Sequence, residues 1–204
     1  MIGYVSVQRW SAAKKAAIAL PVVALLLVGC GGGAKNDTFD LSVNPDGNGP
    51  AAKSRQMLIP QPTALSALDS NQILVRVSSS EIQYLSKSQW GDKLPRMVQS
   101  KLVEAFENTH KLGGVGVPGQ GLAIDFQLVT DIRSFEIDSS GRSQAVVEIS
   151  AKILNDRSGT IRAQSTFRKA IPVNGATNAD FVKALNAAFG DVVTEIVDWT
   201  LRSA

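Results

Sequence analysis

Two residue types that could do chemistry occur once each in this 204-residue chain, as Cys30 and His110. A thiol can act as a nucleophile, ligate a soft metal or be alkylated to a thioether. One thiol and one imidazole cannot make a four-ligand Cys/His zinc site within a chain. His110 closes a helical pattern that runs into Gly113 and Gly114, a position where a protonated ring suits the negative end of the helix dipole. Neither a G-x-S-x-G elbow nor an H-E-x-x-H pair accompanies it, so no catalytic imidazole is expected. The carboxylates Asp125, Asp131, Glu136 and Glu148 could in principle supply a glycosidase-type pair. They fall on the expected solvent side of strands, where nothing desolvates an acid and raises its pKa. Gly114-Val115-Gly116-Val117-Pro118-Gly119 spells G-x-G-x-x-G. The dinucleotide fingerprint needs a strand before it and a helix after it; here the order is reversed, and the segment reads as a loop. No enzymatic activity, cofactor or metal is expected.

The position of Cys30 decides what its sulfur is for. Residues 1–15 carry only positive charge, and Ala16–Val28 is a run of thirteen uncharged residues interrupted by Pro21. About 20 such residues are needed to span a bilayer. A basic start, a short apolar middle and small residues at a cut make a secretory signal, removed from the mature chain. Leu27-Val28-Gly29-Cys30 matches the bacterial lipobox, in which the cysteine becomes the lipidated first residue. Sulfur is chemically required there, since a serine could not form the thioether. Each buried lipid CH₂ contributes ~0.8 kcal/mol and a single chain anchors only marginally; lipoproteins of this type carry several acyl chains, palmitate among them. Gly31 follows in place of the Asp that retains such proteins in the inner membrane, which favours the inner leaflet of the outer membrane, with the protein facing the periplasm.

Removing residues 1–29 also removes Arg9, Lys14 and Lys15, leaving 18 basic against 18 acidic residues of the 21 and 18 in the whole chain. A balanced mature chain gives no electrostatic reason to expect nucleic acid as a partner. The domain has no second cysteine to pair with, so its stability must come from its core.

Three segments are expected: a lipoprotein signal peptide over 1–29, the lipidated cysteine and a flexible tether over 30–56, and one domain over 57–204. Gly, Asn, Asp, Pro and Ser dominate 31–56. About 25 residues of this kind span roughly 25–30 Å. Phe39-Asp40-Leu41 could dock as a short edge strand. In the domain, Ile73, Val75 and Val77 alternate with polar residues, as in a half-buried strand. Leu94, Val98, Leu102 and Phe106 then form a helical stripe that starts around Pro95. Ile124, Phe126 and Leu128 point one way, and Phe135 and Ile137 are in the opposite phase. That switch requires a bulge near Thr130–Ser134. Two further strands, through Ala145–Ile153 and Ile161–Phe167, are set off by turns at 139–141 and 155–159. Thr177-x-x-Asp180 resembles a capping box before a last helix striped by Phe181, Leu185, Ala188, Val192, Ile196 and Trp199. The expected fold is α+β: a mostly antiparallel sheet with two amphipathic helices packed on one face.

Tyr84 and Trp90 flank the expected polar loop Leu85–Gln89 ahead of the first helix. They either cap the core or present a partner surface, where Tyr and Trp are favoured anchors; Arg96 lies beside them. Arg162, Gln164 and Arg168 read as a solvated sheet face.

Ile82-Gln83-Tyr84 and Trp90-Gly91-Asp92-Lys93-Leu94-Pro95-Arg96-Met97-Val98-Gln99-Ser100, followed by Leu128-Val129-Thr130-Asp131-Ile132-Arg133-Ser134-Phe135-Glu136, Ala188-Phe189-Gly190 and Val197-Asp198-Trp199, resemble the ABC-type transport auxiliary lipoprotein family over most of residues 57–201. The resemblance implies a non-catalytic docking subunit of an intermembrane lipid transport system. Its partners would be a periplasmic protein of the mammalian-cell-entry type with an ABC permease and ATPase, and self-association is compatible with it. No Walker motif is present. Tyr84, Trp90 and Arg96 are the expected contact residues. The rival readings are a lipid-binding shuttle, and a lipoprotein that assists assembly of outer-membrane β-barrels or lipopolysaccharide.

Overall fold

The computed structural model describes residues 3, 36–42, 47–121 and 123–203. Its contacts divide the chain into Met1–Lys35 and Asn36–Ala204, and the fold is that of the second unit. The expected signal peptide and Cys30 lie outside the described residues.

Among the described residues nine strands and two helices follow one another: β1 (Asp37–Phe39), β2 (Ala52–Leu58), β3 (Thr63–Ala64), β4 (Gln72–Arg76), β5 (Ile82–Trp90), α1 (Leu94–Thr109), β6 (Leu112–Gly116), β7 (Phe126–Asp138), β8 (Gln144–Asn155), β9 (Ile161–Pro172) and α2 (Asn178–Ser203). The long strand β7 organises the sheet. On one side it pairs with β8, which pairs with β9, both antiparallel. On its other side β2, β3 and β4 pair with it one after another along its length, all three parallel. β6 adds parallel to β2, β5 antiparallel to β4, and β1 parallel to β5. The sheet is therefore mixed, which corrects the expected mostly antiparallel arrangement. The two tight hairpins are visible in sequence as turns; the parallel pairings join segments tens of residues apart and leave no local mark.

The stretch expected to be a free tether is also corrected in part. Asp37–Phe39 is an edge strand, Leu41 is buried, and Ala52–Leu58 is a full strand of the sheet. Residues 47–51 are fastened between these two strands. Lys111 Nζ donates to the carbonyls of Gly47 at 2.7 Å and Gly49 at 2.5 Å, and the Asn48 amide donates to Asp198 Oδ1 at 2.7 Å. A Cβ on Gly49 would lie 2.4 Å from Leu201 Cβ, so only glycine lets the chain pass this close to α2.

One core cluster joins both helices to the sheet. From α1 come Leu94, Val98, Leu102 and Phe106, the expected stripe; from α2 come Leu185, Ala188, Val192 and Ile196. Their partners on the sheet include Met57, Ile73, Phe126, Leu128, Phe135 and Ile149. The phase switch in β7 takes the form of a register shift between Ile132 and Ser134, leaving Arg133 as the extra residue. Without it Phe135 would point to solvent; with it, its ring sits 5.5 Å from that of Phe189 on α2.

Each helix begins and ends for a local reason. Pro95 stands in the first turn of α1, where a missing N–H is harmless. α1 stops before the glycines: His110 takes the left-handed conformation at φ 52° and returns its amide to the Glu107 carbonyl. The capping box of α2 is complete, because Asp180 N–H donates to Thr177 Oγ1 at 3.2 Å and Thr177 N–H donates to Asp180 Oδ2 at 3.0 Å. Gly113 and Gly114 lie within β6, so the expected glycine-rich loop is a strand through Gly116 and a turn only beyond it.

Candidate functional site

The three residues expected to meet a partner are not equivalent. Trp90 has 1% of its surface exposed and packs edge-on against Phe135 at 5.8 Å. It takes the core-capping alternative and is not a surface contact. Tyr84 is 42% exposed. Arg96 projects from the first turn of α1, its side chain two-thirds in solvent, with Nη1 3.1 Å from Asp92 Oδ2.

A bulge in β5 separates the fates of the two aromatics. Tyr84 pairs with Leu74 and Gln89 with Gln72, so the four residues 85–88 of β5 stand opposite Ile73 alone on β4. Lys87 absorbs the excess in a left-handed conformation at φ 56°. Asn178, at the start of α2, steadies it: Nδ2 donates to the Ser86 carbonyl at 3.0 Å and to Ser88 Oγ at 2.7 Å. The stretch read as a polar loop between Tyr84 and Trp90 is thus a bulged strand. Its odd excess of three residues turns Trp90 inward and leaves Tyr84 on the outer face.

That outer face is set by Phe135. Since Phe135 meets α2, Glu136 points the other way, and Leu74 and Tyr84 stand in register with it. Glu136 is 4% exposed, against the expectation that the carboxylates lie in solvent. It accepts a two-toothed ion pair from Arg76, with Nε to Oε1 at 2.7 Å and Nη2 to Oε2 at 2.9 Å. Donating to the Glu136 carboxylate holds the Arg76 guanidinium above its ordinary pKa. Further along, Glu148 lies 3.3 Å from Arg168 and 3.9 Å from Arg133, while Thr63 Oγ1 donates to Asp131 at 2.7 Å. Arg168, expected to be merely solvated, belongs to this lattice of pairs. The carboxylates therefore structure the sheet face and are all engaged by cations or hydroxyls, an arrangement unlike a desolvated proton donor facing a base. Asp125 follows suit, 3.7 Å from the Arg55 guanidinium, and also accepts from the Gln56 amide at 2.9 Å.

Two surfaces stand out beyond these pairs. A groove of 670 Å³ runs beside α1, lined by Asp40, Arg96, Met97, Lys101, Glu104 and Glu107 among others. The other is the start of β5, where Ile82 and Tyr84 are each 42% exposed on the same face. Sequence reading passed over Ile82, although its i, i+2 spacing from Tyr84 was the available signal. Among the described residues no group of three or more His, Cys, Asp or Glu is placed to hold a metal ion. No described helix is long and apolar enough to cross a membrane.

Fold and surface together define a class: a small α+β domain whose inward side chains fill its core and whose outer sheet face is laced with ion pairs. The chain belongs to the family of ABC-type transport auxiliary lipoprotein components, whose family model matches residues 39–197. That match begins inside β1, in keeping with a folded unit that starts at Asn36. A Bradyrhizobium diazoefficiens protein is 31% identical over 180 residues, covering 86% of this chain; the chain spans 47% of that relative's length. The crystal structure of a Xanthomonas campestris protein superposes with a TM-score of 0.76 at 29% identity, covering 82% of this chain and 95% of the other. A Chlamydia trachomatis protein shares the fold alone, at a TM-score of 0.52 and 8% identity over 74% of this chain and 98% of its own. That family is described as the auxiliary lipoprotein component of ABC-type transport.

Proposed function

We propose that the chain is the lipid-anchored docking subunit of an ABC-type intermembrane lipid transporter. In this reading residues 1–29 direct export, Cys30 receives the acyl chains, and the domain faces the periplasm from the inner leaflet of the outer membrane. It holds the periplasmic, mammalian-cell-entry-type part of a transporter whose permease and ATPase sit in the inner membrane. The observation that carries the reading is the extent of the family match, which runs over nearly the whole folded unit. The auxiliary role would then belong to this domain as a body. Of the three residues expected at the interface, Arg96 keeps that assignment, because it is exposed at the rim of the groove beside α1.

A lipid shuttle would need an apolar cavity between helices and sheet. That space is filled by Trp90, Phe106, Phe126, Phe135 and Phe189, each at most 1% exposed. The groove beside α1 is open to solvent and lined mainly by charged and polar groups.

Affinity purification of the full-length protein from detergent-solubilised envelopes tests the docking role. Recovery of an ABC ATPase, a permease and a mammalian-cell-entry-type protein, all reduced by Arg96→Glu, is the expected result. Recovery of a β-barrel or a lipopolysaccharide-export protein in their place would overturn it.

A further inference from the structure

Resting on the proposed lipidation of Cys30, we propose that the open edge of β5, with Ile82, Tyr84 and Lys87, lies against the bilayer that holds the anchor.

The length of chain between anchor and fold is the first ground. Asn36, where the folded unit begins, is six steps along the chain from Cys30, with five residues between them. At roughly 3.3–3.6 Å per residue a fully extended chain covers about 20 Å. The folded unit therefore cannot stand off the bilayer on a long leash, and the surface around Asn36 is held near the headgroups.

The place where the chain enters the fold is the second. Asp37 pairs with Ser88 and Phe39 with Trp90, so the chain joins the sheet alongside the second half of β5. The first half, residues 82–87, has no strand on that side among the described residues. Gln72 and Leu74, the β4 partners of Gln89 and Tyr84, are two residues apart, about 7 Å of strand. Tyr84 thus sits close to the entry point, on the same outer face as Gln89.

The chemistry of this edge is the third ground. Ile82 and Tyr84 are two of the four large hydrophobic residues that the described surface exposes. Tyrosine pairs an apolar ring with a hydroxyl that prefers water, which suits the headgroup layer. Lys87 stands exposed at the bulge between them and the entry point. Its ammonium can reach lipid phosphate while its methylenes lie along the apolar side. A sheet edge that would otherwise offer bare amides and carbonyls to other proteins is covered by the membrane interface. The arrangement also orients the domain: the 155–159 turn lies some ten residues of β7 away, Phe126 to Glu136, roughly 33 Å of strand, and faces the periplasm.

The test uses full-length acylated protein, purified from envelopes and reconstituted in phosphatidylethanolamine–phosphatidylglycerol vesicles. An environment-sensitive fluorophore is placed through Gln83→Cys or Arg157→Cys, with nitroxide-headgroup lipid as quencher and intact mass as the record of acylation. Acylated protein is expected to lose most of its emission at position 83 and little at 157. Ile82→Glu/Tyr84→Glu should abolish that contrast while acylation persists. Acylated protein quenched equally at both sites, more at 157, or at neither, overturns the orientation, and quenching at neither would assign the edge to a protein partner. A mass without acyl chains would instead remove the lipid anchor, and this inference with it.

Discussion

Arg76 and Glu136 stand sixty residues apart in sequence and meet as a planar fork on the outer face of the sheet, at 2.7 and 2.9 Å. The pair joins β4 to β7 through side chains where the strands are also joined by parallel backbone pairing. It does so beside Leu74, which is itself buried.

Truncating one member leaves the other without its partner. Glu136→Ala should lower unfolding stability by about 1–3 kcal/mol, toward the low end because a third of the Arg76 side chain is in solvent. Replacing both residues, as in Arg76→Met/Glu136→Leu, should cost less than Glu136→Ala alone. Urea unfolding of the parent and the two variants checks the order.

Gly113 is required by a backbone, and Gly114 is not. A Cβ on Gly113 would lie 2.3 Å from the Lys53 carbonyl oxygen, while one on Gly114 would find its nearest neighbour, the Gln56 side chain, at 3.6 Å. Gly113→Ala should therefore destabilise by roughly 1–3 kcal/mol, and Gly114→Ala should stay within about 0.5 kcal/mol of the parent. Thermal unfolding of the two variants separates these outcomes.

The capping box gives α2 an acid-sensitive start. Hydrogen bonds from the Thr177 hydroxyl and amide hold Asp180 below the ordinary carboxylate pKa. A carboxyl so lowered contributes stability above its unfolded value, near 3.9, and that stability is lost as the pH falls through the lower folded value. Thr177→Ala should cost about 1 kcal/mol at neutral pH, and its deficit should shrink in acid. Denaturation curves at pH 7 and below about pH 4 read the convergence.

Two buried hydroxyls, Thr130 Oγ1 and Thr200 Oγ1, find no hydrogen-bond partner among the described residues. An isosteric methyl removes the cost of burying an unpaired hydroxyl without opening a cavity. Thr200→Val should leave stability unchanged or raise it by about 1 kcal/mol. A clear fall in the melting temperature would mean that the hydroxyl is satisfied, for instance by a bound water.

What could be read in the sequence was whatever is written locally. The stripes of α1 and α2, the capping box at Thr177 and the turns at 139–141 and 155–159 depend on spacings of a few residues. So does the bulge at Arg133, because a change of phase along one strand has no other remedy. Pairing is a different matter. Nothing in Met57 or Leu74 announces that each lies parallel to a part of β7, and nothing in Glu136 names Arg76 as its partner. β5 went unread because its bulge at Lys87 breaks the alternation that marks a strand, and β6 because glycines look like a loop until the Lys53 carbonyl is seen pressed against one of them. For the candidate site, the residues themselves were legible, but which of Tyr84 and Trp90 faces outward was fixed by that same unseen bulge.

The account depends most on acyl chains at one sulfur. Intact mass spectrometry of the protein extracted from envelopes should find a chain that starts at Cys30 and carries the added mass of several fatty acyl groups, and Cys30→Ser should abolish that species. A native protein that retains residues 1–29, or that starts at Cys30 with an unmodified thiol, would contradict the account.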